Sequence, residues 1–159
     1  KEIKIEKNIR ALRYEELDKK DRKLIDAAKE ATARSYAPYS HFSVGAAALL
    51  ANGVVVTGSN QENAAYPSGT CAERTTLFYA NSQYPDQAVD TLAIAARSET
   101  GYLDSPIPPM WSLPSGSSGN RTTFPPAHAD TAFSKNDIYV LEGTKDLLPL
   151  SFGGEYLKV

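Results

Sequence analysis

The chain has 159 residues, 42% apolar and 23% charged, which is enough apolar material for one buried core and excludes a disordered chain. Seventeen Lys and Arg residues against nineteen Asp and Glu residues give a formal charge of -2, so no phosphate-neutralising excess points to duplex nucleic acid. One Cys cannot form an intramolecular disulfide, which fits a reducing compartment. No apolar run reaches the length of a membrane span, and KEIKIEKNIR lacks the apolar heart of a signal peptide. A soluble, cytoplasmic protein is expected, and a start at Lys1 rather than Met suggests missing N-terminal residues.

The periodicity predicts one long amphipathic helix from about Tyr14 to Tyr36. Leu17, Leu24, Ile25, Ala28 and Thr32 share a face, and Ala37-Pro38 ends the helix. Phe42 to Asn60 reads as a β-hairpin turning at Asn52-Gly53. Its first strand, SVGAAALL, has so little side-chain bulk that another element should lie close against it. A second helix is expected over CAERTTLFYANSQ, with Thr70 as N-cap and Glu73 three residues on. Strands are expected at Thr91 to Arg97 and Ile138 to Leu141. This order of helices and strands predicts a single α/β domain over residues 1–159, a central mixed β-sheet flanked by helices. Residues 110 to about 133 (MWSLPSGSSGNRTTFPPAHADTAF) break the pattern and read as irregular loop.

The densest chemical cluster is Cys71-Ala72-Glu73-Arg74 at a helix start. There the helix dipole favours the thiolate that a metal requires, and Glu73 is close enough to move protons at a bound water. The same residues also read as a buried free Cys and a capping Glu.

SYAPYSHFSVGAAALLANGVVVTGSNQENAAYP followed by CAER resembles the cytidine deaminase family, and the resemblance resumes at SPIPP and at LLPLSFGGEYL. It implies a three-layer sandwich and hydrolysis of cytidine or deoxycytidine to uridine or deoxyuridine, with ammonia released. In that family zinc is held by three protein ligands and activates a water, while the Glu of the Cys/His-Ala-Glu motif shuttles protons. The resemblance makes Cys71 a zinc ligand and Glu73 the proton shuttle, with Arg74 tempering charge near the metal. It places Asn60 and Glu62 on the ribose hydroxyls, Phe42 along the base, and the Ala72 backbone against the base. Phe152 would reach a neighbouring subunit's site in a homo-oligomer, a tetramer or dimer. Taken singly, Phe42 and Phe152 also read as core aromatics, Asn60 and Glu62 as hairpin-exit residues, and Arg74 as a solvated helix residue.

The departure from the family comes at its other two zinc ligands. After Pro108-Pro109 the family has Cys-Gly-x-Cys-Arg-Gln, whereas this chain has Met110-Trp111-Ser112-Leu113-Pro114-Ser115. One thiolate alone cannot retain zinc. His128 and Asp130 are suitable types without ligand spacing, and His41 reads as a surface or pocket-rim residue. The genetic code offers an explanation. Met and Trp have the single codons ATG and TGG, and with a TCN serine next, reading one base later gives TGT-GGT, Cys-Gly. Leu-Pro then permits Cys, Pro-Ser permits Arg and Ser-Gly permits Gln. Ala127 to Ala132 permits Pro-Met-Arg-Ile-Leu-Leu, a return into a strand. Residues 110 to about 133 are therefore expected to be an out-of-frame translation, with the original frame resuming near Ser134. If the chain is as written, a metal-free, inactive nucleoside-binding or oligomeric relic is expected instead.

Overall fold

The computed structural model describes Lys4, Glu6, residues 9–107 and residues 129–141. Among these residues the strands are β1 (Arg10–Leu12), β2 (Ser43–Leu50), β3 (Val55–Ser59), β4 (Val89–Ser98), β5 (Gly101–Tyr102), β6 (Ala129–Phe133) and β7 (Ile138–Leu141). The helices are α1 (Lys19–Ala31) and α2 (Ala72–Gln83). The strands form one sheet in the order β1-β7-β6-β4-β2-β3, with β5 paired to β4. Only the β4–β6 pairing is parallel; the other pairings are antiparallel. This is the expected mixed sheet flanked by helices.

Alternation along β2 and β4 assigns the two faces. Ala46, Ala48 and Leu50 of β2 join Leu92 and Ile94 of β4 beneath Ala72, Leu77 and Ala80 of α2. Ala47 and Leu49 join Ala93 and Ala95 beneath Leu24, Ile25 and Ala28 of α1. Both faces are covered, so these strands read in sequence as unbroken apolar runs.

The close approach expected against the small residues of β2 is present on its α1 face, and a second one occurs on β3 from the other side. A Cβ placed on Gly45 would overlap the Ala28 carbonyl oxygen and stand 2.6 Å from the Thr32 amide nitrogen, so α1 rests with its backbone on β2. On the other face a Cβ on Gly58 would meet Thr76 Oγ1 at 2.6 Å and its backbone nitrogen at 2.8 Å, which sets α2 on β3.

Three sequence expectations need correction. The long helix is broken into a 3-10 turn at Tyr14–Glu16, then α1, then a second 3-10 turn at Thr32–Arg34. Leu17 is extended, and Asp18 restarts the chain as N-cap by accepting from the Asp21 amide at 2.7 Å. At the far end the Thr32 hydroxyl donates to the Lys29 carbonyl at 2.7 Å and Ser35 is extended, so the helix stops before Ala37-Pro38 is reached.

The cap of α2 is Cys71 rather than Thr70, and no side chain caps it. Thr70 instead exchanges two 2.9 Å backbone hydrogen bonds with Gln61. Glu73 then sits one position too early to complete a capping box.

The third correction concerns the irregular stretch, whose last five residues form β6 between β4 and β7. The remainder, residues 110–128, lies outside the described residues. Within β6, Thr131 is 1% exposed, and its hydroxyl has no hydrogen-bond partner among the described residues. A buried orphan hydroxyl is unfavourable by about 1 to 3 kcal/mol. From the helix side, the Lys29 ammonium lies over the rings of Tyr14, Tyr102 and Phe133 at 5.7, 5.5 and 4.7 Å, fastening α1 to β5 and β6.

Urea unfolding should separate these effects. Gly45→Ala should lose about 2 to 3 kcal/mol because backbone must move. Gly53→Ala meets open space and faces only its φ of +83°, so it should lose about 1 kcal/mol. Equal losses would mean that close packing on Gly45 is not what sets its cost. Thr131→Val should raise stability by about 1 kcal/mol.

Candidate active site

Between the N-terminus of α2 and the segment leaving β3 lies a cavity of about 1060 Å³, large enough for a nucleoside-sized molecule. Its floor is apolar, with Val44, Ile94 and Ala96 from β2 and β4, and two short stretches carry the expected polar site residues.

The first stretch is Asn60 to Glu62. It continues β3 in extended form, held between residues 36 and 70: the Tyr36 amide donates to the Asn60 carbonyl at 3.0 Å and the Glu62 amide to the Tyr36 carbonyl at 2.8 Å. Two residues apart on an extended chain, Asn60 and Glu62 face the same way. The Asn60 carboxamide acts as an extra peptide unit for β2. Its Oδ1 accepts from the Val44 amide at 2.8 Å and from the Ser35 hydroxyl at 2.5 Å, and its Nδ2 donates to the Phe42 carbonyl at 2.9 Å. A carboxamide has two N–H groups, so one donor is left for the cavity. Glu62 Oε2 accepts from the Tyr39 amide at 2.9 Å and the Ser40 amide at 3.3 Å. The Ser40 hydroxyl and then the Tyr39 amide hold its carboxyl below the usual carboxylate value. The pair therefore presents one donor and one anionic acceptor, which is what a sugar hydroxyl needs.

The second stretch is Cys71 to Arg74, the first turn of α2, all lining the cavity. Glu73 is only 6% exposed. Cys71 is half-buried, and its thiol is pushed up, first by burial and then by the neighbouring Glu73 carboxylate. This reverses the expectation that the helix dipole would favour the thiolate: without a metal, desolvation and a like charge outweigh it.

The structure thus gathers seven of the expected site residues, Phe42, Asn60, Glu62, Cys71, Ala72, Glu73 and Arg74, around one cavity. Phe152 and positions 110 and 113 lie outside the described residues. Among the described residues no group of three His, Cys, Asp or Glu could hold a metal ion. His41 does not line this cavity but faces a second cleft. Sequence reasoning missed the Tyr39-Ser40 turn that holds Glu62, Ser35 behind Asn60, and Tyr66 on the rim, which is 91% exposed. The Pro38-Tyr39-Ser40 composition signals a turn, but nothing in it signals a carboxylate partner.

A family model described as the cytidine and deoxycytidylate deaminase zinc-binding region matches residues 18–98, just over half of the chain. The chain belongs to this deaminase family. A cytidine deaminase from Halalkalibacterium halodurans is 45% identical over 86 residues, covering 54% of this chain and 61% of that protein. Another from Sporosarcina psychrophila is 44% identical over 77 residues, covering 48% of this chain and 56% of that protein. The chain spans about three-fifths of the length of these curated relatives. The crystal structure of cytidine deaminase from Burkholderia pseudomallei superposes with a TM-score of 0.62 at 33% identity, covering 82% of this chain and 97% of that one. No helix among the described residues of this family member is long and apolar enough to cross a membrane.

The depressed Glu62 value makes a pH prediction. A carboxyl whose folded value lies below its unfolded one stabilises the fold above the unfolded value and loses that contribution as pH falls through the folded one. Carbon-13 NMR of the Glu62 carboxyl should therefore show a midpoint below 4.5, and Ser40→Ala should move it upward. A midpoint indifferent to Ser40→Ala would leave the Ser40 contact without electrostatic effect.

Proposed function

We propose that this chain carries the site of a hydrolytic cytidine deaminase, which converts cytidine or deoxycytidine to the uridine product and ammonia. The observation that carries the reading is the convergence of Cys71 and Glu73, at the mouth of α2, with Asn60 and Glu62 on one apolar-floored cavity. In this reading the free Asn60 N–H and the Glu62 carboxylate hold the sugar hydroxyls, Phe42 lies along the base, and the Ala72 backbone hydrogen-bonds it. Glu73 takes a proton from the attacking water and gives it to the ring nitrogen N3, then takes the remaining hydroxyl proton and gives it to the departing ammonia as the C4–N bond breaks. Arg74 offsets negative charge beside Cys71, and Phe152 completes the site of a neighbouring copy in a homo-oligomer.

In this family a zinc ion supplies Lewis-acid activation of the attacking water. Cys71 fits one of its three protein ligands. Met110 and Leu113 do not fit the other two, because neither side chain offers the thiolate or imidazole that zinc takes. A chain with these residues therefore holds no catalytic zinc.

The out-of-frame reading of residues 110 to about 133 reconciles the intact half-site with the missing ligands. It places Cys at 110 and 113. It also permits Leu at 131, in the buried position where the Thr131 hydroxyl has no partner among the described residues. The second reading, an inactive nucleoside-binding relic, holds if the protein contains Met-Trp-Ser-Leu at 110–113.

Mass analysis of the natural protein's peptide across Pro109 and residue 110 distinguishes the two. A Cys-Gly-x-Cys-Arg mass should come with one zinc per chain and cytidine turnover, and Glu73→Gln should then reduce kcat by about 100-fold or more. A Met-Trp-Ser-Leu mass should come with no retained zinc and no turnover. Turnover by that protein would overturn the ligand assignment.

A further inference from the structure

Directly behind the nucleoside cavity, on the α1 face of the same two strands, lies a second cleft of about 360 Å³. The β2–β4 register makes the arrangement necessary. Val44 and Ala96 are paired and floor the first cavity, while the next pair along, Ser43 and Arg97, points the other way and floors the second. Ser35, His41, Ser98 and Glu99 wall it.

Three features distinguish this cleft from ordinary polar surface. Arg97 is partly buried and, among the described residues, forms neither an ion pair nor a hydrogen bond. The Ser43 hydroxyl beside it is likewise unengaged among those residues. The one acid in the wall, Glu99, is not turned to Arg97. Its Oε1 lies 3.6 Å from His41 Nδ1, and His41 reaches that position from a left-handed backbone with φ of +55°. A non-glycine residue seldom adopts such a φ without surrounding constraint. Glu99 is thus engaged by His41, and the Arg97 guanidinium that lines the cleft has no ion pair among the described residues.

A guanidinium fork beside a free hydroxyl, in a concave site with an apolar sheet behind it, matches the oxygens of a phosphate group. We propose that the cleft floored by Ser43 and Arg97 binds a phosphate group, free or carried on a small ester. Arg97 supplies two parallel N–H donors, and Ser43 supplies a third donor from the neighbouring strand. The Ser35 wall connects this cleft to the nucleoside cavity, because the Ser35 hydroxyl donates to Asn60 Oδ1. The assignment does not depend on deaminase activity, because neither Arg97 nor Ser43 lines the first cavity.

The test is a nitrogen-15 NMR titration of the full chain at constant ionic strength, with inorganic phosphate in one arm and glycerol 3-phosphate in the other. Saturable shifts should centre on the amides of Ser43, Arg97 and Ser98, with half-saturation at about 1 mM. Arg97→Ala should weaken binding about tenfold or more, and Ser43→Ala about threefold. Glu99→Gln should tighten it, since it removes the cleft's negative charge. Response in the inorganic arm alone identifies a site for the free ion, and response in both identifies one that accepts monoesters. If Arg97→Ala fails to fold, the opposite signs expected for Ser43→Ala and Glu99→Gln still decide the matter. Linear, unsaturating shifts in both arms, or binding unaltered in all three variants, would overturn the proposal.

Discussion

Every functional position described here depends on how closely two helices can approach one sheet. Gly45 lets the backbone of α1 lie on β2, and Gly58 lets that of α2 lie on β3, from opposite faces. Helix-on-sheet packing usually proceeds through side chains. Here Gly45 on β2 and Gly58 on its neighbour β3 let main chain meet main chain, one from each side of the sheet, while Ala46, Ala47 and Ala48 keep the strand between the helices thin. The N-terminus of α2 is consequently fixed relative to β3, and Cys71 and Glu73 are set opposite the segment that continues β3 into Asn60 and Glu62. Interiors this tightly packed do not deform gradually, so the two halves of the cavity are held in fixed relation.

The polar part of the site has the same economy. Asn60 is structural and cavity-facing at once: it bonds the Val44 amide, the Phe42 carbonyl and the Ser35 hydroxyl and keeps one N–H for the cavity. Glu62 fastens the Tyr39-Ser40 turn with one oxygen and leaves the other for a hydroxyl. The same turn leads through His41 into the second cleft, so the two concavities share a single loop as well as a single pair of strands.

Much of this was legible in the sequence, and the failures have physical causes. The hairpin, the buried strands and the thinness of β2 follow from alternation and side-chain size, both local properties. The break before α1 was missed because Asp18 sits in a stretch whose apolar spacing continues across it, and a cap interrupts a helix without interrupting its period. Thr70 was expected to cap α2 because its type suits the role, but tertiary pairing with Gln61 had already engaged its backbone. β6 was unreadable because Ala129-Asp130-Thr131-Ala132-Phe133 has the composition of a loop, and only its place between β4 and β7 makes it a strand. At the site, the residues of Asn-x-Glu and Cys-Ala-Glu-Arg were found by their motif. The residues behind them, Ser35 and Ser40, act through single hydrogen bonds across long sequence separations, and single-sequence patterns carry no trace of those.

The sheet order has a further consequence for how the chain comes to its shape. The β2–β3–β4 ladder and the two helices packed on it can make their mutual contacts once residue 98 is available, while α1 gains its contacts with Tyr102, Phe133, Ile138 and Val140 only later. β1 cannot join them then, because among the described residues it pairs only with β7, Leu12 opposite Ile138. During synthesis the first strand must therefore wait, with its apolar Leu12 unburied, while nearly the whole chain emerges. β1 thus finds its place only once β7 is there to receive it.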